Sequence, residues 1–99
     1  MTGFATLAPP GEYPIPRPGD TSYQILLAVM EAWKGSKYGP TVEEIRKQVG
    51  LSSRSGVQFH ISNLLDAGWL DNIPNRRRTL RVTDKGRKLI RMFETINDA

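Results

Sequence analysis

The 99-residue chain contains no cysteine. This absence excludes disulfide bonds, thiolate metal sites and a cysteine nucleophile, and it fits a reducing compartment. No apolar run approaches the ~18 residues of a membrane span, and the N-terminus lacks the basic and apolar regions of a secretory signal. There is no phosphate-binding loop, nucleophile elbow or plausible carboxylate pair. We therefore expect neither an enzyme nor a bound cofactor.

Histidine is almost as scarce as cysteine, since His60 is the only one. It has neither cysteine nor a clustered carboxylate beside it in the sequence, and such partners are what a metal site needs. We therefore expect a hydrogen-bonded structural role for His60 and no metal site.

Acidic residues are sparse in one part of the chain. Residues 45–93 hold eleven Lys and Arg against three Asp, whereas the segments on either side are net acidic, within a total of +4. A concentrated basic surface indicates a polyanionic partner, nucleic acid first. The alternative is a solvated basic face without a partner.

Five of the seven prolines lie in residues 1–19. This composition excludes a helix or an inner strand and predicts a flexible N-terminal arm. Arms that enter a minor groove carry several arginines, whereas this arm has only Arg17, which favours a plain disordered tail. We place the folded domain at residues 20–97.

Two capping boxes predict the first two helices. Thr21 with Gln24 begins a helix over residues 21–35, and Thr41 with Glu44 begins a second over residues 41–49, which ends at Gly50. A serine cap after Gly50 then begins a third helix, from about 53 to 67, with Gly68 just past its end.

The pattern changes after Gly68. The segments WLDNI and TLRVT read as strands joined by the polar turn PNRRR, and Thr83 caps a fourth helix. A short glycine-containing turn between helices 2 and 3, followed directly by a hairpin, is typical of a winged helix-turn-helix. The predicted fold is mainly α with a small β-hairpin: three helices, a two-stranded wing and a C-terminal helix.

Several local motifs resemble one protein family. They are Tyr38 and Pro40-Thr41 before helix 2, the GLSS turn at 50–53, His60 inside helix 3, and Gly68-Trp69-Leu70 at the exit into the wing. From residue 38 to 82 the chain resembles the DNA-binding domain of LexA-type repressors. The resemblance implies a prokaryotic or phage cytoplasmic regulator that binds double-stranded DNA. It also implies base contacts from Ser53, Ser55, Gly56, Gln58 and Phe59.

The sequence departs from that family in two ways. LexA repressors continue into a self-cleaving domain, and because this sequence stops at Ala99 we expect no self-cleavage. The segment LRVTDKGRKLI instead resembles the wing exit and following helix of MarR-like and PadR-like regulators, where an added C-terminal helix often builds the dimer. We expect a stand-alone homodimer that pairs through Leu89, Phe93 and Ile96.

On a helical wheel, Ser55, Phe59 and Ser62 lie opposite the apolar face of helix 3. Such a stripe suits a recognition helix in the major groove, where Phe59 would contact thymine methyls. The alternatives are that Phe59 packs against a second chain or against the wing. Gly56 allows either close approach to DNA or tight helix packing.

The remaining candidates also have two interpretations each. Arg54 either reads guanine or clamps a phosphate, Gln58 either reads adenine or is solvated, and Thr41 either caps helix 2 or also donates to a phosphate. The wing arginines either meet the backbone or minor groove or form a solvated turn. The predicted DNA-binding set is Thr41, Ser52, Ser53, Arg54, Ser55, Gly56, Gln58, Phe59, Ser62, Asn75, Arg76, Arg77 and Arg78.

Three functions compete on this sequence. The first is a sequence-specific double-stranded DNA binder that regulates transcription, the second is a winged-helix protein-interaction adaptor without specific DNA binding, and the third is an RNA binder. Fold alone does not choose among them. The basic wing and the polar stripe on helix 3 favour the first.

Overall fold

Four helices and one hairpin form the part of the chain that the computed structural model describes, residues 15–98. The order is α1 (Thr21–Gly35), α2 (Val42–Val49), α3 (Arg54–Asp66), β1 (Leu70–Asp71), β2 (Arg81–Val82) and α4 (Asp84–Asp98). The two strands are antiparallel, with Leu70 opposite Val82. This confirms the predicted fold, a mainly helical winged helix-turn-helix. None of the described helices has the length and apolar character needed to cross a membrane.

Helix α1 supplies the centre of the core. Ile25, Leu26 and Val29 are completely buried, and the helix packs against α2, α3 and β2. Trp33, which the periodicity assigns to the same apolar face, is partly exposed because it lies at the edge of this packing. Its indole N–H donates to the Leu80 carbonyl oxygen at 2.7 Å and so ties the end of α1 to the hairpin.

The start of α1 differs from the prediction. The N-cap is Asp20, so the predicted capping box of Thr21 with Gln24 is wrong. The Asp20 side chain does not cap the helix either, since its carboxylate accepts from the Arg17 backbone N–H at 3.1 Å. That bond closes the turn that leads into the helix.

The turn between α2 and α3 follows the sequence signals. Thr41 and Glu44 form the reciprocal capping box, and Gly50 ends α2 in the left-handed conformation at φ +86°. Glycine adopts this conformation without the strain that a β-carbon adds. Ser53 caps α3 by accepting from the Gly56 N–H at 3.2 Å, and Gly68 follows the helix at φ +85°.

The strands are shorter than predicted, with two residues each in place of five. The hydroxyl of Thr79 accepts from the Ile73 N–H at 3.0 Å and lies within donating distance of the Ile73 and Arg76 carbonyls. These side-chain bonds take the place of ladder bonds for the Ile73 N–H and for one of the two carbonyls. The hairpin therefore becomes a compact bonded loop beyond its two paired residues.

Helix α4 lies back against the hairpin and α1. Thr83 accepts from the Gly86 N–H at 3.1 Å, as the predicted cap requires. Leu89 is 7% exposed in the core, and the ring of Phe93 meets the Tyr23 ring edge-on at 5.7 Å. Leu89 is therefore unavailable to a second chain, and the prediction that it pairs two chains is wrong.

Most of the predicted N-terminal arm, residues 1–14, lies outside the described residues. Within residues 15–19, Pro16 is buried and Ile15 is exposed. The Asp20 N–H donates to the Arg17 carbonyl oxygen at 2.9 Å across a turn with Gly19 at φ +99°. The end of the arm therefore packs on the domain through Pro16.

Candidate nucleic-acid interface

The outward face of α3 is solvent-exposed along its length. Val57, Ile61 and Leu64 are buried, whereas the opposite side carries only exposed side chains, which are Ser55, Gln58, Phe59 and Ser62. Phe59 is 63% exposed, and its ring meets the His60 ring edge-on at 5.5 Å. The ring contact of Phe59 is thus with a neighbour on its own helix and not with the wing.

The first turn of α3 combines a cap with an exposed cation. Ser52, Ser53 and Ser55 are all exposed, and the hydroxyls of Ser53 and Ser55 lie 3.4 Å apart. Arg54 extends into solvent, with its Nε 4.0 Å from Glu43 Oε1. An ion pair this long and this exposed holds a side chain only weakly. Arg54 can therefore rearrange towards a phosphate or a guanine at little cost.

Gly56 is not required by packing between helices. A β-carbon built there would meet only the Ser53 hydroxyl oxygen, at 3.2 Å, and no atom of a neighbouring helix. The tight-packing interpretation of Gly56 is therefore wrong. Two reasons for a glycine at this position remain. A β-carbon would crowd the Ser53 hydroxyl that caps α3, and the predicted close approach of DNA needs the space.

The acidic residues at the start of α2 are paired with arginines. Arg46 donates to both oxygens of Glu43, at 2.9 and 2.6 Å, and these bonds lower the pKa of the Glu43 carboxyl. The Glu44 carboxylate accepts from the Thr41 N–H at 2.9 Å and from Arg78 at 3.2 Å. The bond from the Thr41 backbone is the largest cause that lowers the pKa of Glu44, and the bond from Arg78 adds to it.

The wing tip presents two arginines to solvent. Arg76 and Arg77 are exposed, on a turn in which Asn75 and Arg78 have the positive φ angles of 63° and 57°. Asparagine tolerates this region better than arginine does. Within residues 15–98, neither Arg76 nor Arg77 forms an ion pair with a carboxylate, and their positive charge is uncompensated by direct contacts.

Arg78 behaves differently from its two neighbours. Its guanidinium makes two parallel bonds of 3.2 Å to the Glu44 carboxylate and lies 4.8 Å above the centre of the Tyr38 ring. Its carbonyl oxygen accepts from the Gly39 N–H at 2.8 Å. The third wing arginine is therefore attached to the segment that leads into α2.

A groove of about 340 Å³ lies between the wing and the first turns of α2 and α3. Its lining brings together five of the predicted site residues, Thr41, Arg54, Arg76, Arg77 and Arg78. The other predicted site residues do not line the groove. They are the four residues of the exposed α3 stripe, together with Ser52, Ser53, Gly56 and Asn75. Asn72 also lines the groove, and Tyr38 and Glu44 contact Arg78 beside it. The sequence prediction named none of these three residues, although Tyr38 and Glu44 stand in the motifs that define the start of α2.

Comparison with known proteins assigns the family. The model of the LexA DNA-binding domain matches residues 21–79, which is more than half of the chain. The chain belongs to the LexA DNA-binding domain family. The match covers α1, α2, α3 and the wing up to Thr79, so the resemblance predicted from the motifs around residues 38–82 is confirmed.

Several LexA repressors are similar to this chain. The protein of Lacticaseibacillus casei (strain BL23) is 46% identical over 67 residues, 68% of this chain and 32% of the relative. The protein of Limosilactobacillus reuteri (strain DSM 20016) is 51% identical over 49 residues, which are 50% of this chain and 24% of the relative. The protein of Oenococcus oeni is 39% identical over 71 residues, which are 72% of this chain and 34% of the relative. The chain thus spans about a third of the length of the curated relatives it matches. No solved structure matches it significantly.

Proposed function

We propose that this LexA-family domain is a sequence-specific double-stranded DNA-binding protein that regulates transcription. In this proposal α3 enters the major groove, and the wing lies along the backbone or reaches into the minor groove. The observation that carries the proposal is that Arg54, in the first turn of α3, and the unpaired Arg76 and Arg77 of the wing line one groove. A major groove admits a helix of this width, and flanking arginines suit the phosphates beside it.

The predicted contacts fall into two groups. We propose base contacts from the α3 stripe and from Arg54, which lies at the N-terminal end where recognition helices usually meet base edges. We propose phosphate contacts from Arg76, Arg77 and the hydroxyl of Thr41. That hydroxyl already accepts from the Glu44 N–H at 3.1 Å, so it has its proton left to donate. This arrangement needs no catalytic group.

The test is selection from a labelled random DNA pool at several salt concentrations, with sequencing of the retained fraction. We expect a motif to emerge, and affinity should fall steeply with salt because phosphate contacts release counterions. Salt-sensitive retention without a motif would contradict sequence-specific reading. Absence of retention at low salt would contradict DNA binding altogether and would favour the adaptor function.

We also propose that the protein is a homodimer through α4, with Ile96 kept from the predicted set and Met92 added to it. Met92 and Ile96 are 48% and 61% exposed and lie one turn apart on the same face. Lys88, Arg91 and Thr95 line the same shallow depression. Exposed apolar side chains at this spacing suit a partner helix. A protein other than a second copy would use the same face under the adaptor alternative.

For the setting we propose the bacterial cytoplasm, where a regulator of transcription meets DNA. The similar proteins named above are repressors of bacteria, which supports repression as the direction of control.

A further inference from the structure

Arg78 is held to the domain by three different contacts. The backbone bond from the Gly39 N–H, the two-pronged bond to Glu44 and the stacking on Tyr38 all join the wing to residues 38–44. A two-pronged bond fixes the direction of a guanidinium as well as its distance. Within residues 15–98, the structure shows no comparable contact of a carboxylate with Arg76 or Arg77.

The acceptor of Arg78 is itself held in place. Glu44 uses Oε1 to accept from the Thr41 N–H at 2.9 Å, and its own N–H donates to the Thr41 hydroxyl at 3.1 Å. These capping-box bonds orient the carboxylate without any contribution from the wing. The position of the wing is therefore tied to the first turn of α2, which also meets α3 through Glu43 and Arg54.

The backbone next to this contact leaves little freedom. A β-carbon at Gly39 would lie 2.3 Å from the Leu80 carbonyl oxygen, so the two chain segments approach as closely as glycine allows. Arg78 also holds the left-handed φ of 57°, a conformation that a side chain other than glycine adopts only when its surroundings impose it. The contact is thus built from backbone and side chain together.

We infer that Arg78 is a positioning residue that, through Glu44 and Tyr38, fixes the wing so that Arg76 and Arg77 meet DNA in register with α3. The inference rests on the proposed DNA binding and refines it. It removes Arg78 from the DNA contacts predicted from the sequence and adds Glu44, an acidic residue, to the side chains that binding requires.

The alternative is that Arg78 leaves Glu44 and binds a phosphate when DNA arrives. The two possibilities predict opposite effects for Glu44→Gln. If Arg78 binds phosphate, loss of the competing carboxylate should tighten binding. If Arg78 positions the wing, the same change should weaken binding, although it removes a negative charge close to the DNA.

The chain offers a matched control in Glu43→Gln. It removes the same charge from the same helical turn, but Glu43 pairs with Arg46 and Arg54 and not with the wing. Gln at position 44 keeps a carbonyl oxygen for the Thr41 N–H, since the capping box accepts either residue. Loss of the helix cap is therefore not a consequence of Glu44→Gln.

The experiment measures dissociation constants of the whole chain for a duplex from the selected pool, over a range of salt. We expect about three- to tenfold weaker binding for Glu44→Gln, a loss typical of residues within one coupled network, and unchanged or tighter binding for Glu43→Gln. Arg78→Lys should weaken binding with an unchanged salt slope. Arg76→Ala should lower the slope by about one, as a lost phosphate contact does.

Equal effects of Glu43→Gln and Glu44→Gln, or a lower salt slope for Arg78→Lys, would overturn the inference. Amide hydrogen exchange of Gly39 in the free protein tests the inference separately from the proposed function. Faster exchange in both Glu44→Gln and Arg78→Lys, with α2 amides still protected, supports the attachment of the wing without any DNA. If wild type binds no DNA, the proposed function and the role in binding both fail. If wild type binds but Gly39 exchange is unchanged, the inference alone fails.

Discussion

Phe59→Ala separates the stability of the domain from its reading of DNA. With the ring 63% exposed, about a third of it is covered. Full burial of Phe is worth about 1.5–3 kcal/mol, so truncation should cost about 0.5–1 kcal/mol of unfolding free energy. The higher helix propensity of Ala offsets about half a kcal/mol of this. We expect a nearly unchanged urea midpoint.

Phe93→Ala is the matched control for stability. Phe93 is also on a helix, but it is half-buried and packs edge-on against Tyr23. Its truncation should destabilise the domain by about 2–3 kcal/mol, from lost burial and the lost ring pair. The same change of side chain thus gives two different results, and the difference depends on the orientation of α3 and α4.

The binding effect is measured with the DNA changed as well as the protein. Replacing a contacted thymine by uracil removes one methyl group, worth about 0.8 kcal/mol or about fourfold in the dissociation constant. Wild type should show this loss at one or two positions of the selected site. Phe59→Ala should bind more weakly and should no longer distinguish thymine from uracil there.

Two results would refute this reasoning. If Phe59→Ala unfolds the domain, the orientation of α3 is wrong. If wild type and Phe59→Ala lose the same affinity on replacement of each thymine by uracil, Phe59 does not contact a thymine methyl, and a contact with a second chain gains support.

Three further predictions concern stability and assembly. Gly39→Ala should cost about 1–3 kcal/mol of unfolding free energy, since its β-carbon would overlap a backbone oxygen. Gly35 has open space around it, so Gly35→Ala should change the unfolding free energy by less than about 0.5 kcal/mol. Equal effects of the two changes would contradict the close approach at Gly39. The hydrogen bond from Arg87 lowers the pKa of Asp84, so this carboxylate stabilises the fold above its ordinary pKa of about 3.9 and the effect is lost as the pH falls through the lower folded value. Asp84→Asn should therefore lower the urea midpoint at neutral pH and match wild type in strong acid, and a pH-independent difference would argue against the pairing. Ile96→Asp should give a monomer by light scattering where wild type is a dimer, and a wild-type monomer at high concentration would reject pairing through α4.

The helix boundaries were predictable because their signals are local. Thr41 and Glu44 are three residues apart, and Gly50 and Gly68 mark left-handed positions that few other residues adopt. The failure at Thr21 has the same origin, because a capping-box pattern fits any suitable pair of residues, and the N-cap is Asp20, one residue before Thr21. The short strands were not predictable, since Thr79 reaches Ile73 only once the loop has formed.

The exposed stripe of α3 was also predictable, because helical periodicity alone separates Val57 and Ile61 from Ser55 and Phe59. The role of Arg78 was not. Three adjacent arginines look equivalent in the sequence, and Glu44 lies 34 positions away. Only the folded chain distinguishes the arginine that is attached to α2 from the two that remain in solvent.

The bare outward side of α3 has a consequence for how such a protein changes its target over generations. Ser55, Gln58, Phe59 and Ser62 are exposed and lie outside the buried core, so replacing them costs the fold little. A library randomised at these four positions should consist mostly of folded members, and under the proposed function these members should differ in base preference. Arg78 offers no such freedom, because its backbone is left-handed and its carbonyl oxygen accepts from the crowded Gly39. Under the proposed function, new operators would then be acquired through α3 while the attachment of the wing through Arg78 remained constant.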